Sequence, residues 1–283
     1  MPLEEPHGER AVVPGERFIL MEPDTGYAYL VHADGKGARK LRGLGVFDPD
    51  RLVGTPFGTI LKVGAKDVAV LQPTGADLAT TIARKAQIIT PKDASRIIFE
   101  LGIGAGDRVF ESGVGSGAAT VSLCWAVGAE GQVVAQELRE EFAKWAQANA
   151  DAAGLGARLA IAIGDTSQGI APGVGGPFRA ALLDLPEPWL AIRHLLAHLA
   201  PGATIACYTP QVSQLEETVR TLRAAGFVQV RALELIERQW EVKERGSRPS
   251  FDGLGHTGFL VFARWLGRPY TLPPNPPPPA AVS

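Results

Sequence analysis

The feature that most restricts this chain is a glycine run, Gly113-Val114-Gly115-Ser116-Gly117, set into a regular alternation of strands and helices. Arg108-Val109-Phe110-Glu111-Ser112 before it has the apolar, β-branched character of a buried strand, and residues 118–127 after it read as a helix. Further along, 132–137, 159–163, 180–183 and 204–208 read as strands. Helices are expected over 94–101, 140–153, 189–199 and 212–225, the last stopped by Gly226. Such βαβ alternation predicts an α/β domain with a mainly parallel sheet covered by helices on both faces. Ligands on these sheets bind beyond the carboxyl ends of the strands. The glycines sit at one such end, where they permit a tight turn and close approach of a ligand to the backbone. Their spacing departs from the dinucleotide fingerprint, in which the third glycine comes later.

Two acids extend the pattern. Glu137 ends the next strand, about twenty residues on, where a carboxylate can accept bonds from both ribose hydroxyls of a nucleoside. Asp165 follows the third strand and can accept a bond from an adenine amino group. The fourth strand ends in Asp184-Leu185-Pro186-Glu187-Pro188-Trp189. That run reads either as a loop with a helix N-cap or as a base-recognition loop in which Asp184 accepts a bond from an exocyclic amine. Taken in series along one sheet edge, these features describe an adenosine pocket.

Outside this core, residues 16–72 form a β-rich region of short strands punctuated by Gly, Asp and Pro, with Asp34-Gly35 as a hairpin turn. The expected division is a small β-rich domain over 1–75, a linker over 76–92, the α/β domain over 93–269 and a disordered Pro-rich tail over 270–283. The small domain carries no recognisable chemistry and serves to position substrate or to build an oligomer, or is a structural appendage. Residues 228–236 and 257–265 read as a closing strand pair around a polar segment, 237–256.

Composition narrows the function. With 28 Lys plus Arg against 30 Asp plus Glu, the net charge of −2 is not the global signature of a nucleic-acid binder, so any RNA contact must come from local basic clusters. Cys124 and Cys207 lie in apolar runs and read as buried thiols; no His/Cys pair has zinc-ligand spacing, so no metal is expected. The first ten residues lack an apolar signal core and no apolar stretch is long enough to span a bilayer, so the expected location is the cytoplasm, away from membrane.

The stretch 103–120 followed by Glu137, Asp165 and Asp184 resembles the core of class I methyltransferases. More narrowly, Arg84-Lys85-Ala86-Gln87-Ile88-Ile89-Thr90-Pro91-Lys92-Asp93, Gly115-Ser116-Gly117, the Asp184 to Trp189 loop and Gly255-His256-Thr257-Gly258-Phe259-Leu260 resemble the tRNA adenine-58 N1-methyltransferases. The likeness covers most of the chain, the small β-rich domain included; this sequence has Thr90 where the family often has Tyr, and the Pro-rich tail lies outside the pattern. It implies a Rossmann-like methyltransferase sheet, S-adenosylmethionine as cofactor, tRNA as partner and a homotetramer. It also implies a cofactor site of Gln87, Glu111, Gly113, Val114, Gly115, Ser116, Gly117, Glu137, Asp165 and Asp184. Asp184 is then the catalytic residue, and Thr90, Pro186, Trp189, Arg245 and His256 touch substrate.

Basic residues to hold RNA would come from Arg84, Lys85 and Lys92, and from Arg238, Lys243, Arg245 and Arg248. Trp240 either stacks on a base or belongs to a core or interface, and His256 either lines the pocket or is structural. A protein or small-molecule methyltransferase of the isoaspartyl type shares the Gly-x-Gly-Ser-Gly loop. A non-catalytic tRNA-binding subunit and a nicotinamide dehydrogenase are further alternatives.

Overall fold

The computed structural model describes residues 10–253 and 255–271, so most of the N-terminal decapeptide and nearly all of the Pro-rich tail lie outside the described residues. The chain divides into two compact units, Met1–Ala83 and Arg84–Ser283.

In the first unit, β1 (Arg17–Met21), β2 (Ala28–His32), β5 (Ile60–Val63) and β6 (Lys66–Leu71) form an antiparallel sheet in the order β2-β1-β6-β5. A separate ribbon pairs β3 (Arg39–Leu41) with β4 (Gly45–Phe47). Phe18, Leu20, Val31, Val68 and Val70 fill the core from one face of the sheet, while Ile19 of β1 is buried on the other. The turn expected at Asp34-Gly35 does not join paired strands: β2 pairs with β1, not with β3. Asp34 is instead held by Arg39, whose guanidinium lies 2.6 Å from its carboxylate. The stretch expected to be a linker begins with a helix, α1 (Gly75–Thr80), because Thr74 and Asp77 form a reciprocal capping box at its start.

The second unit opens with α2 (Pro91–Leu101), which starts earlier than its apolar periodicity suggests because Pro91 occupies the first turn, where a missing N–H costs nothing. Gly102, left-handed at φ +61°, closes it. Then follow β7 (Arg108–Ser112), α3 (Ala118–Ala126), β8 (Gln132–Glu137), α4 (Glu140–Ala152), β9 (Leu159–Ile163), β10 (Phe178–Leu183), α5 (Pro188–Leu195), β11 (Leu199–Thr209) and α6 (Val212–Ala224). The chain ends in β12 (Val228–Glu234), a hairpin of β13 (Trp240–Lys243) and β14 (Gly246–Pro249), and β15 (Phe259–Arg264).

The seven-stranded sheet has the order β12-β15-β11-β10-β7-β8-β9. Strands β7 to β11 run parallel, while β15 is antiparallel to both β11 and β12. Order reverses beside β7, since β8 and β9 lie to one side and β10 and β11 to the other. A crevice therefore opens beyond the carboxyl end of β7, where the two following loops diverge. Central strands carry residues buried on both faces, with Phe110 of β7 packed against Phe178 of β10 at 5.3 Å between ring centroids.

Candidate active site

The loop after β7 is built to leave room. Gly113 is left-handed at φ +84°, and a side chain there would overlap the carbonyl oxygen of Asp184. The two strand ends thus approach more closely than any other residue allows. Gly117 is also left-handed and stands at the N-cap of α3, with no side-chain cap bond. Ser116 does not face the cavity. Its hydroxyl accepts the backbone N–H groups of Lys85 and Ala86, each at 2.9 Å, which brings Ala86 and Gln87 to the rim.

A cavity of about 620 Å³ lies at this edge. Its lining includes Gln87, Gly113, Gly115, Glu137, Asp165, Asp184 and Pro186, drawn from five successive chain segments. Glu137 is buried, and its carboxylate is fixed by two backbone donors, Val114 N–H on Oε2 and Arg139 N–H on Oε1, both at 3.0 Å. An ionised carboxylate has about four acceptor positions, so two remain for a diol. Asp165 accepts the N–H of Ser167 at 2.9 Å, which turns the loop after β9.

Asp184 follows β10 directly and is half-buried. Loss of water around it, reinforced by the charge of Glu137, pushes its carboxyl up to about 7. Glu111, one position before the end of β7, does not line the cavity and is fully buried. Among the described residues, neither of its oxygens, nor the neighbouring Thr120 hydroxyl, reaches hydrogen-bond geometry with a partner. Desolvation drives the Glu111 carboxyl up to about 8, partly offset by Thr120 and reinforced by the charges of Asp184 and Glu137.

The other expected site residues are placed elsewhere. Val114 and Gly117 shape the loop without lining the cavity. Thr90 spends its hydroxyl on Asp93 Oδ2 at 3.0 Å, and Trp189 sits in the first turn of α5 outside the cavity lining. Arg245 is exposed between β13 and β14. His256 is also outside the lining; its ring nitrogens face Glu234 Oε1 at 2.6 Å and the Pro210 carbonyl at 3.0 Å. Those two acceptors hold the imidazole above its ordinary proton affinity. Several basic residues read as RNA contacts are engaged within the chain: Lys85 over the Trp145 ring, Lys243 and Arg248 on Glu241.

Sequence reasoning missed Ser112, Gln136 and Thr166, all of which line the cavity. Ser112 and Thr166 share a hydrogen bond at 2.7 Å across the strand ends. The Gln136 side chain donates to Gly169 O and accepts from Ala171 N–H, each at 2.9 Å, and so shapes the loop that carries Asp165. The signal available was position, since they adjoin Gly113, Glu137 and Asp165, residues already singled out. Among the described residues there is no group of three or more His, Cys, Asp or Glu that could hold a metal ion. No helix of the described residues is long and apolar enough to cross a membrane.

A family model described as the tRNA methyltransferase complex GCD14 subunit matches residues 66–248. The tRNA (adenine(57)-N(1)/adenine(58)-N(1))-methyltransferase TrmI of Methanocaldococcus jannaschii is 32% identical over 230 residues, 73% of this chain and 79% of its own. The tRNA (adenine(58)-N(1))-methyltransferase TrmI of Thermus thermophilus is 32% identical over 248 residues, 87% of this chain and 96% of its own. Among solved structures, the tRNA 1-methyladenosine-58 methyltransferase TrmI of Aquifex aeolicus is 27% identical with a TM-score of 0.70, covering 90% of this chain and 98% of that one. An S-adenosylmethionine-dependent O-methyltransferase of Thermotoga maritima is 32% identical with a TM-score of 0.76, covering 90% and 95%. A family match over well over half of the chain, joined to this strand order and strand-end pocket, makes the conclusion plain: the chain belongs to the tRNA methyltransferase GCD14 family.

Proposed function

We propose that the chain is an S-adenosylmethionine-dependent enzyme that methylates N1 of adenine 58 in the T-loop of tRNA. The observation that carries this reading is the convergence of Gly113, Glu137, Asp165 and Asp184 on one cavity at the carboxyl edge of a parallel sheet. Bound there, the cofactor supplies an electrophilic methyl group on a sulfonium centre. In this reading Glu137 accepts the ribose hydroxyls, Asp165 accepts from the adenine amine, and the glycines admit the ligand close to the backbone.

Asp184 acts on the acceptor. Adenine N1 has an in-plane lone pair, so no base must first remove a proton from it. The product base is cationic, and a carboxylate at its amidine edge interacts more strongly with the transition state than with the neutral base, which is the condition for acceleration. Asp184 accepts from the N6 amine and stabilises the positive charge that develops on the ring. Its burial, which pushes the carboxyl up to about 7 in the free protein, marks a site of low effective dielectric where that interaction is strong. Pro186 and Pro188 stiffen the loop that holds it. A T-loop base must leave its stack to reach this edge.

The homotetramer, the contacts of Thr90, Trp189, Arg245 and His256 with substrate, and a cytoplasmic location belong to the same proposal. The likeness to an O-methyltransferase favours one rival acceptor, an oxygen rather than a ring nitrogen. Incubating the protein with unmodified tRNA and labelled cofactor, then mapping the methylated nucleosides, tests both. The expected product is 1-methyladenosine at position 58, lost in Asp184→Ala while cofactor binding persists. Methylation of a ribose oxygen or of another nucleoside refutes the reading, and sedimentation as a monomer refutes the assembly.

A further inference from the structure

Two motifs far apart in the sequence, 90–93 and 255–258, meet through one ammonium group. Lys92 Nζ donates to Asp93 Oδ1, to the Leu235 carbonyl and to Thr257 Oγ1, each at 2.7 Å. An ammonium has three donors, and here all three are used. The Lys92 side chain is only 12% exposed and that of Asp93 not at all, and the second oxygen of Asp93 is taken by Thr90. No proton of Lys92 is left for an RNA phosphate, although its charge in a basic stretch had suggested that role.

The acceptors have a common location. Leu235 directly follows β12 and Thr257 lies just before β15, so Lys92 grips both ends of the excursion that leaves the sheet and returns to it. The Glu234–His256 contact at 2.6 Å ties the same two ends. On the other side, the Tyr208 hydroxyl of β11 donates to the Thr257 carbonyl at 2.5 Å. Its ring occupies the space that a side chain at Gly258 would need. Cys207 is in register with Leu183, so Tyr208 stands beside Asp184 on the neighbouring strand. Through the Tyr208 hydroxyl, Thr257 is thus tied to the strand position next to the carboxylate assigned to the acceptor base.

We propose that Lys92 is a positioning residue for methyl transfer, touching no substrate and holding in place Thr257 and, through it, Tyr208 on the strand beside Asp184. The role in transfer rests on the tRNA reading above; the staple itself does not. Replacing Lys92 leaves Asp93 buried without its counter-charge, so Thr257→Val, which removes one acceptor and no charge, serves as the gentler variant. Methyl transfer is sensitive to misplacement of about 1 Å, so both Lys92→Met and Thr257→Val are expected to slow single-turnover transfer by about tenfold or more. Cofactor affinity should stay within about twofold, since neither residue lines the cofactor cavity. Backbone amides of 255–258 should exchange with deuterium faster in both variants. Lys92→Arg should not restore the rate, because a planar guanidinium cannot point three donors of one nitrogen at these acceptors.

A salt series separates this role from a phosphate contact. Losing one phosphate contact lowers the slope of log affinity for tRNA against log salt by about 0.9, whereas a staple leaves the slope unchanged. A lowered slope in Lys92→Met, or wild-type transfer rates in Lys92→Arg or Thr257→Val, overturns the proposal. Should the wild-type protein transfer no methyl group to tRNA, the functional reading fails, while unaltered amide exchange in both variants refutes the staple on its own.

Discussion

Replacing Glu111 with Gln should change how the stability of the free protein depends on pH. The wild-type carboxyl is fully buried, its oxygens have no hydrogen-bond partner among the described residues, and its proton affinity is pushed up to about 8 from an ordinary 4.5. Between those values the folded state keeps a proton that the unfolded state has released, so stability falls as pH rises, by about 1.4 kcal/mol per unit well inside the window. Integrated from pH 5 to pH 8, the loss attributable to Glu111 is about 3–4 kcal/mol. Glutamine has the same shape, carries the burial cost of a polar group at every pH and does not titrate. The assay is urea unfolding of both proteins, without ligand, at four pH values from 5 to 8. The difference between them is the informative quantity, because Asp184 titrates in both and largely cancels. Glu111→Gln should gain on the wild type steadily across the range. A difference constant to within about 0.5 kcal/mol refutes the reasoning, since it means that the carboxylate is already ionised and well solvated or partnered at pH 5.

The same electrostatics bear on turnover and binding. Asp184→Asn should cut methyl transfer by about 100-fold or more with cofactor binding retained, and near-normal turnover by that variant removes Asp184 from the chemistry. Because Asp184 must be ionised to act and its carboxyl is pushed up to about 7, kcat/KM of the wild type should rise with pH through about 7; a flat profile there argues against the assignment. Glu137→Gln swaps an acceptor oxygen for an amide that cannot accept both the Val114 and Arg139 N–H groups, so the cofactor Kd should rise by about tenfold or more, and an unchanged Kd moves the ribose contact elsewhere. Gly113→Ala combines a left-handed backbone with overlap onto the Asp184 carbonyl, so it should cost more than the roughly 1–2 kcal/mol of the backbone alone; a variant with unaltered thermal stability contradicts the close approach of β7 and β10.

The parallel core of the α/β unit and the acids Glu137, Asp165 and Asp184 were legible from the linear order of residues. They are encoded locally: each acid ends or follows an apolar strand, and a right-handed βαβ chain brings successive strand ends to one edge. The glycine loop belongs to the same class, because positive φ at Gly113 and Gly117 is a property of those residues alone. Boundaries set by the character of a single residue were harder. Pro91 extended α2, and the Thr74–Asp77 box turned part of an expected linker into a helix.

What no local pattern contained was the pairing of distant side chains. Lys92 looked like one more basic residue for RNA; its partners lie 143 and 165 positions away, and only the folded chain places them around its ammonium. Glu111 looked like part of a binding motif, yet its meaning comes from the absence of a partner among the described residues in a closed interior, which depends on every element packed around it. His256 read as either a pocket residue or a structural one, and the fold set it between Glu234 and Pro210. Periodicity and turn chemistry act over a few residues and therefore determine which elements exist and where their ends converge. Burial, proton affinity and the choice of hydrogen-bond partner depend on what the rest of the chain packs beside each group, so they were decided by tertiary structure.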